Sequence, residues 1–405
     1  MIEERLDRQT RIEGWDQEAL DRRIMVLGDD DSLASHYILS AAALGIGEIV
    51  AVAPSLDERL IQTAHGVNPN LNLAHIEGHY THEGLDALIG GSDPIIDCSH
   101  TALVKKLAIN HGFRRCTPVL SALVDDGGFR MFPYQRGREV EDLLEVIPEH
   151  QLPREHTDDP VLSSIVSAML LEESTGYMMT GETTSDIVRF DRTGSGTRKD
   201  TGKALVVGAG ALGNFVALGL AYSRATDVTI MDPDVVEETN LNRQVFLYDG
   251  VGKPKAETLA RRMGDLFNVT YTPQVRYFTQ DIDVSGYDIV FDCVDNFETR
   301  IALSESCYKS EIHLISGGTN VHAGQMVFWV PGKGMDTPAH QLGLYELVEE
   351  RGSAPRERTA CTYRPDPSVI MTNQIIAGFM VDAYNHLREG TMPRSIFYES
   401  KGHRF

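Results

Sequence analysis

A chain of 405 residues is long enough for two or three domains, and its 42% hydrophobic and 24% charged content is that of an ordinary globular protein with a sizeable core. Asp and Glu number 59 against 37 Lys and Arg, and residues 1–200 hold 34 of those acids with 18 of the bases, so neither half offers the broad basic surface that nucleic acid requires. Five cysteines without a C-x-x-C pair argue against a disulfide framework or a zinc site, and the start MIEERLDRQT lacks a signal peptide's apolar stretch, so a cytoplasmic protein that engages no membrane is expected.

In chain order, Ile24–Gly28 (IMVLG) predicts a strand, followed by a turn, a helical stretch and a second strand over Glu48–Pro54. Pro94–Ser99 (PIIDCS) and Val119–Ala122 (VLSA) are further strands, and the segment after Thr157 is a long helix. Arg192–Lys203 (RTGSGTRKDTGK) has the composition of a linker. The pattern then repeats. Ala204–Gly208 and Asp227–Pro233 match the first two strands at an offset of 180, and the Asp-Cys pair at Asp292-Cys293 matches Asp97-Cys98 at an offset of 195. Leu314–Gly317 matches Val119–Ala122, and the helix after Arg364 matches the one after Thr157. A duplicated chain of alternating strands and helices implies an α/β fold of two tandem Rossmann-like domains, each a mostly parallel doubly wound sheet, spanning 1–195 and 196–405.

The two copies differ at the first strand–helix turn. Gly208-Ala209-Gly210-Ala211-Leu212-Gly213 is a G-x-G-x-x-G, whose glycines let backbone N–H groups approach phosphate oxygens at a helix N-terminus. Asp232 closes the next strand, where a carboxylate can accept hydrogen bonds from ribose hydroxyls. The first copy carries Gly28-Asp29-Asp30-Asp31-Ser32-Leu33 at that turn and Ala53 at the ribose position, so it is expected to bind no nucleotide. A nicotinamide-dependent oxidoreductase would share the glycine turn and Asp232. It has no special need for Asn240, Arg243, Gln244 and Lys255 to follow so closely. A site that cleaves between the α- and β-phosphates does need them, because charge builds up on the departing pyrophosphate. The strand ending at Asp292-Cys293-Val294-Asp295-Asn296 places a carboxylate at the sheet's carboxyl edge, suited to Mg²⁺ with its preference for oxygen ligands.

These residues resemble the adenylation domain of the ubiquitin-activating enzyme (E1) superfamily, with its bacterial ThiF, MoeB and HesA members. The pattern G-x-G-x-x-G, D-x-D-x-V-x-x-x-N-L-x-R-Q, G-x-x-K and D-N-x-x-x-R falls on Gly208/Gly210/Gly213, on Asp232 and Asp234 through Asn240, Arg243 and Gln244, on Gly252 through Lys255, and on Asp295 through Arg300. Arg5-Leu6-Asp7-Arg8-Gln9 is similar to the family's R-x-x-R-Q segment, whose second arginine reaches across a dimer interface into the partner's ATP site. The second copy has no such segment, so the resemblance implies a pseudo-dimer within one chain, alone or as half of a homodimer, with Arg8 as a finger into the second copy. It further implies ATP-dependent adenylation of a carboxyl terminus. Arg243 and Lys255 would stabilise phosphate charge, Asp295 would hold Mg²⁺ and Asp232 the ribose.

Ala360-Cys361-Thr362-Tyr363-Arg364-Pro365 resembles the C-T-x-x-R-P segment of the autophagy-type members, one residue shorter, where the cysteine takes the acyl group as a thioester. A thiolate near arginines would be a good nucleophile, whereas Cys98 and Cys293 lie in apolar strands and read as core. The bacterial sulfur-transfer members carry two C-x-x-C pairs for zinc, absent here. Implied partners are a ubiquitin-like protein, sulfur carrier or peptide with a free C-terminus, and a downstream acyl acceptor. A peptide-modifying adenylyltransferase without the thioester step, an oxidoreductase and a non-catalytic scaffold are the competing readings. The acidic run Tyr345–Glu350 reads as part of a crossover loop before Cys361.

Overall fold

Fully buried runs such as Ile24–Leu27 and Ala204–Val207 lack the alternation of a one-sided sheet, as strands covered on both faces must. The structure, a computed structural model, describes residues 4–81, 87, 91, 93–125, 127–135, 147–148, 158–184, 186–192, 202–353 (backbone alone at 351–353) and 367–405. The first sheet comprises β1 (Arg23–Leu27), β2 (Glu48–Ala53), β3 (Asn72–Glu77), β4 (Ile95–Asp97), β5 (Val119–Asp125), β6 (Gly128–Tyr134) and β7 (Val188–Asp191). Its order is β3-β2-β1-β4-β5-β6-β7, parallel through β5 and antiparallel thereafter. The second sheet comprises β8 (Ala204–Val207), β9 (Val228–Met231), β10 (Thr272–Gln274), β11 (Ile289–Asp292), β12 (His313–Thr319), β13 (Ala323–Trp329) and β14 (Ile396–Glu399). Its order, β10-β9-β8-β11-β12-β13-β14, repeats the first with the same directions. Even the register is kept, with Asp97 opposite Ser121 in one sheet and Asp292 opposite Ser316 in the other. The fold is therefore α/β, with two tandem, mostly parallel sheets.

The described helices are α1 (Leu33–Ala43), α2 (Glu58–Val67), α3 (Ala102–Arg115), α4 (Pro160–Thr180), α5 (Ala211–Tyr222), α6 (Lys255–Phe267), α7 (Phe297–Ser310), α8 (Pro338–Gln341), α9 (Leu344–Ser353) and α10 (Ile370–Arg388). The carboxylate of Asp159 accepts the N–H groups of Val161 and Leu162 to start α4, Pro160 sits in the first turn, and Gly181 ends the helix in the left-handed conformation. Tyr345–Glu350 lies in α9 rather than in a loop. The segment has good helix formers up to Gly352, Leu344 is buried, and the Tyr345 hydroxyl donates to Glu305 of α7. Among the described residues no helix is long and apolar enough to cross a membrane.

One continuous apolar core includes α1, α2, α4, α5, α6 and α10 with the inner faces of both sheets. Separate clusters cover the outer faces, around Val104 and Ala108 of α3 and around Leu303 and Cys307 of α7. The long helices α4 and α10 cross closely enough that a Cβ on Gly378 would lie 2.3 Å from Ile165. At this crossing the fully buried Gln374 donates to the Ser164 carbonyl (2.9 Å) and the Ser167 hydroxyl (3.0 Å), and accepts from Ser40 of α1 at 2.6 Å. A buried amide satisfied this completely fixes how the two halves sit.

A second tie comes from the C-terminus. His403, buried beyond β14, lies 2.7 Å from Glu173 and 3.4 Å from Glu172, both on α4, and 2.8 Å from the Tyr398 hydroxyl. Burial by itself would lower the imidazole pKa, but the two carboxylates outweigh it and raise it to about 9. A histidine whose folded pKa exceeds its unfolded value contributes stability that is complete below about pH 6.5 and lost as pH rises through about 9. We expect the free energy of urea unfolding to fall by about 3 kcal/mol at most across that window. His403→Gln should flatten the fall, and an unchanged pH profile in that variant would remove this assignment.

Candidate functional site

The sheet order reverses between β8 and β11, and the crevice beyond their carboxyl ends is where ligands sit in such folds. Gly208 leaves β8 with φ +101°, and a Cβ there would lie 2.6 Å from the Cys293 carbonyl oxygen. A Cβ on Gly213 would meet the Gly208 oxygen at 1.9 Å. The fold itself requires these two glycines. Gly210 differs, because its φ of −74° suits any residue and an added Cβ would find only Gln244 Nε2, at 3.9 Å. Its missing side chain leaves an open cradle at the N-terminus of α5, where backbone N–H groups attract anions.

Asp232 follows β9 and is buried. Its Oδ2 accepts from Ala209 N at 2.7 Å and its Oδ1 from Asp234 N at 2.8 Å, while burial pushes its carboxyl upward against the pull of Lys255. Each oxygen keeps a lone pair for a sugar hydroxyl. Asn214, which the sequence did not single out, donates to the carbonyls of Ala209 (3.0 Å) and Gly210 (2.9 Å) and accepts from Phe246 N (3.1 Å). It ties the glycine turn to the chain just after Gln244, and its place directly behind Gly213 was the available signal.

The cationic wall is built around 234–255. Lys255 opens α6 and is 9% exposed, with its Nζ 3.0 Å from Asp234 Oδ2. Asn240 Oδ1 accepts from Glu237 N and closes the short turn before Arg243. Arg243 is 8% exposed and donates to the Thr239 carbonyl (3.1 Å) and Asn242 Oδ1 (2.8 Å). Burial first, and then the charge of Arg8, lower its pKa to about 10, with Glu237 the opposing influence. Gln244 is buried with its Oε1 lacking a hydrogen-bond partner among the described residues. The buried cationic side chains of Arg243 and Lys255 and the open glycine cradle fit a polyphosphate nucleotide.

The charge of Arg8 is felt at Arg243, and the residues on either side of Arg8 are pinned. Arg5, buried, donates to the Ala43 carbonyl at 2.8 Å, capping the C-terminus of α1. Gln9, fully buried, donates to the Leu44 carbonyl (2.9 Å) and to Gln17 (2.7 Å), and accepts from Asn242 at 3.2 Å. Asn242 also donates to the Ser368 carbonyl at 3.1 Å, while Ser368 N donates to the Arg8 carbonyl at 3.4 Å. Gln9, Asn242 and Ser368 thus knot the first half's N-terminal segment to the second half's site. Sequence spacing carried no signal for Ser368.

Asp295 is exposed at the start of α7, where Asn296 caps the helix by accepting from Thr299 N. Arg300 braces that loop by donating to the carbonyls of Val294 (2.7 Å) and Gly317. No cluster of three or more His, Cys, Asp or Glu suited to a metal occurs among the described residues. A lone carboxylate fits Mg²⁺, which takes its other ligands from substrate phosphates and water. Cys361 lies outside the described residues. Cys98 and Cys293 are buried, and burial pushes both thiols up, as core positions should.

The corresponding turn of the first half is filled by its own side chains. Rather than facing outward, Asp29 and Asp31 are buried. Asp29 pairs with His79 at 2.9 Å and accepts the His100 N–H, and Asp31 accepts Leu33 N at 2.8 Å and lies 3.0 Å from His100 Nδ1. Asp158 accepts from the backbone N (3.2 Å) and hydroxyl (3.0 Å) of Ser32 at the start of α1, and burial followed by Asp31 raises its pKa to about 6. Carboxylates therefore occupy the place that the second half keeps open. Where Arg300 braces one half, Lys105 forms a fully buried pair with Asp97 at 3.1 Å in the other.

The family model described as the ThiF family matches residues 186–394. Among curated proteins, the chain is 35% identical over 158 residues to the SAMP-activating enzyme E1 of Haloferax volcanii, covering 38% of this chain and 57% of that one. It is 34% identical over 142 residues to the molybdopterin-synthase adenylyltransferase of Salmonella typhimurium, covering 34% and 57%. It is 30% identical over 195 residues to ubiquitin-like modifier-activating enzyme 5 of Culex quinquefasciatus, covering 44% and 48%. The chain thus spans about half the length of these relatives. Among solved structures, E. coli MccB with ATP aligns at 20% identity and a TM-score of 0.42, over 50% of this chain and 62% of that one.

The glycines give a test that separates folding from ligand binding. Gly208→Ala should destabilise the chain by about 2 kcal/mol or more, since it meets both a left-handed φ and a backbone clash. Gly210→Ala should melt within a few degrees of the parent yet lose the thermal shift produced by ATP. An unaltered ATP shift in Gly210→Ala would exclude this turn as the nucleotide cradle.

Proposed function

The chain belongs to the ThiF family, and from that premise we propose that it adenylates the C-terminal carboxylate of a polypeptide with ATP, using the second half as the active copy. The observation that carries this reading is the open glycine turn at Gly210 in the same half as the buried Arg243 and Lys255, with the backbone of Arg8 tied to that half through Ser368 and Asn242. A triphosphate spread from Gly210 toward Arg243 and Lys255 would match their positive charge.

In the proposed step a carboxylate oxygen forms a bond to the α-phosphorus of ATP while the α–β bridging P–O bond breaks, and pyrophosphate leaves with the electron pair. The acyl group is then joined to AMP, a far better leaving group than oxide. Arg8, Arg243 and Lys255 would neutralise the charge that develops on pyrophosphate, which is worth most in a site that excludes water. For Lys255 this means exchanging its exposed partner Asp234 for phosphate, at little cost, because a half-exposed pair is weak. Asp232 would accept from the ribose, and Asp295 would hold Mg²⁺, whose chemistry is to offset phosphate charge. The first half would serve as an inactive partner that supplies Arg8, because Asp29, Asp31 and Asp158 fill its own turn. The substrate class is a ubiquitin-like protein, a sulfur carrier or a peptide, with a thioester on Cys361 as a second step.

Substrate-dependent ATP–pyrophosphate exchange tests the reading. Peptides and small carrier proteins with a free C-terminal carboxylate should support exchange, and their C-terminal amides should not. Arg8→Ala, Arg243→Ala and Asp295→Ala should each reduce exchange about 100-fold, the scale of losing one charge-stabilising group. Cys361→Ser should keep exchange and lose only an acyl-thioester. Exchange at parental rates in both arginine variants would overturn the proposal.

A further inference from the structure

The two halves also line an open cavity of about 290 Å³. One wall is Ile12 and Trp15, which follow Arg8 on the pinned N-terminal segment. Another is Val369, directly after the Ser368 that bonds both Arg8 and Asn242, so the cavity begins within about 4 Å of backbone from that knot. Its volume is at the small end for ligand pockets and is ample for a long side chain.

The lining joins apolar side chains to carboxylates. Trp15, Met179, Val321 and Met371 provide the apolar surface. Glu172 and the buried Glu173 lie against His403, and the exposed Glu13 and Glu182 line the same cavity with Lys401 and His322, so that among the described lining residues four carboxylates meet one lysine and two histidines. An apolar wall with carboxylates in excess complements a four-carbon stem carrying an ammonium, and an indole in the wall favours the same cation.

Resting on the adenylation reading, we propose that this cavity binds a lysine side chain of the polypeptide whose carboxyl terminus is activated. The occupant is fixed by charge and shape. A neutral aliphatic side chain would leave the carboxylates unmatched, and an acidic one would be repelled. The first half thereby contributes substrate selection as well as Arg8.

The test uses the full chain carrying Trp329→Phe, so that Trp15 is the sole tryptophan of the two in the sequence. Nα-acetyl-lysine amide should produce a saturable change in Trp15 fluorescence, and Nα-acetyl-norleucine amide should bind at least tenfold more weakly. Glu172→Gln should weaken the lysine probe about tenfold. Because that variant also touches the His403 tie, the exposed pair Glu13→Gln with Glu182→Gln provides a second reading and should weaken it at least threefold, while Lys401→Gln should tighten it. No saturable response, or equal binding of norleucine and lysine probes, overturns the proposal. Exchange assays in parallel keep the two readings apart. Exchange without lysine preference leaves adenylation standing and removes the cavity's role; lysine binding without exchange on any carboxylate does the reverse.

Discussion

The crossing of α4 and α10 is the constraint on which the rest of the molecule depends. Gly378 lets the two helices touch, and Gln374 satisfies both of its amide ends on serines of the first half. A buried amide left without those partners would cost on the order of 1–3 kcal/mol, so sliding by even one helical turn is disfavoured. With that angle fixed, the end of α1 holds Arg5 and Gln9, and Gln9 joins the segment that carries Arg8 to Asn242, the neighbour of Arg243. The site is a product of two copies clamped at one register.

Duplication followed by opposite electrostatic choices explains the asymmetry. Both halves retain a strand, a turn and a helix whose N-terminus favours an anion. In the second half, glycine leaves the turn open near the cationic side chains of Arg243 and Lys255. In the first, Asp29, Asp31 and Asp158 bring carboxylates to the turn, with His79 against Asp29 and His100 against Asp31. The same backbone thus frames an open turn in one copy and a cluster of carboxylates and histidines in the other. The excess of acids in residues 1–200 has a partial counterpart in this filled turn.

The division of labour extends to the ends of the chain. The N-terminal segment crosses to the second half's site, and the C-terminal His403 crosses back to α4 of the first. Between these two straps lies the acidic, apolar cavity. Both straps depend on buried hydrogen bonds rather than on exposed ion pairs, and buried polar contacts specify geometry more strongly than surface charges do.

The sequence by itself determined the duplicated α/β architecture, the strands that carry the turns and the residue types of the cationic wall. Those signals are local: a buried strand needs an apolar run, and a close backbone approach needs Gly208 and Gly213 whatever lies beyond. Its family resemblance also named Arg8, without saying how the arginine could be held in place. Only the tertiary structure decided that Gln9, Asn242 and Ser368 tie the Arg8 segment to the site, because the bonded partners lie at least 126 residues apart and no periodicity links them. It also corrected Tyr345–Glu350 from loop to helix, since burial of Leu344 and a bond to Glu305 outweigh the segment's charge. The inward turn of Asp29 and Asp31 was likewise hidden. A run of aspartates reads as repulsion toward solvent until the fold brings histidines against it.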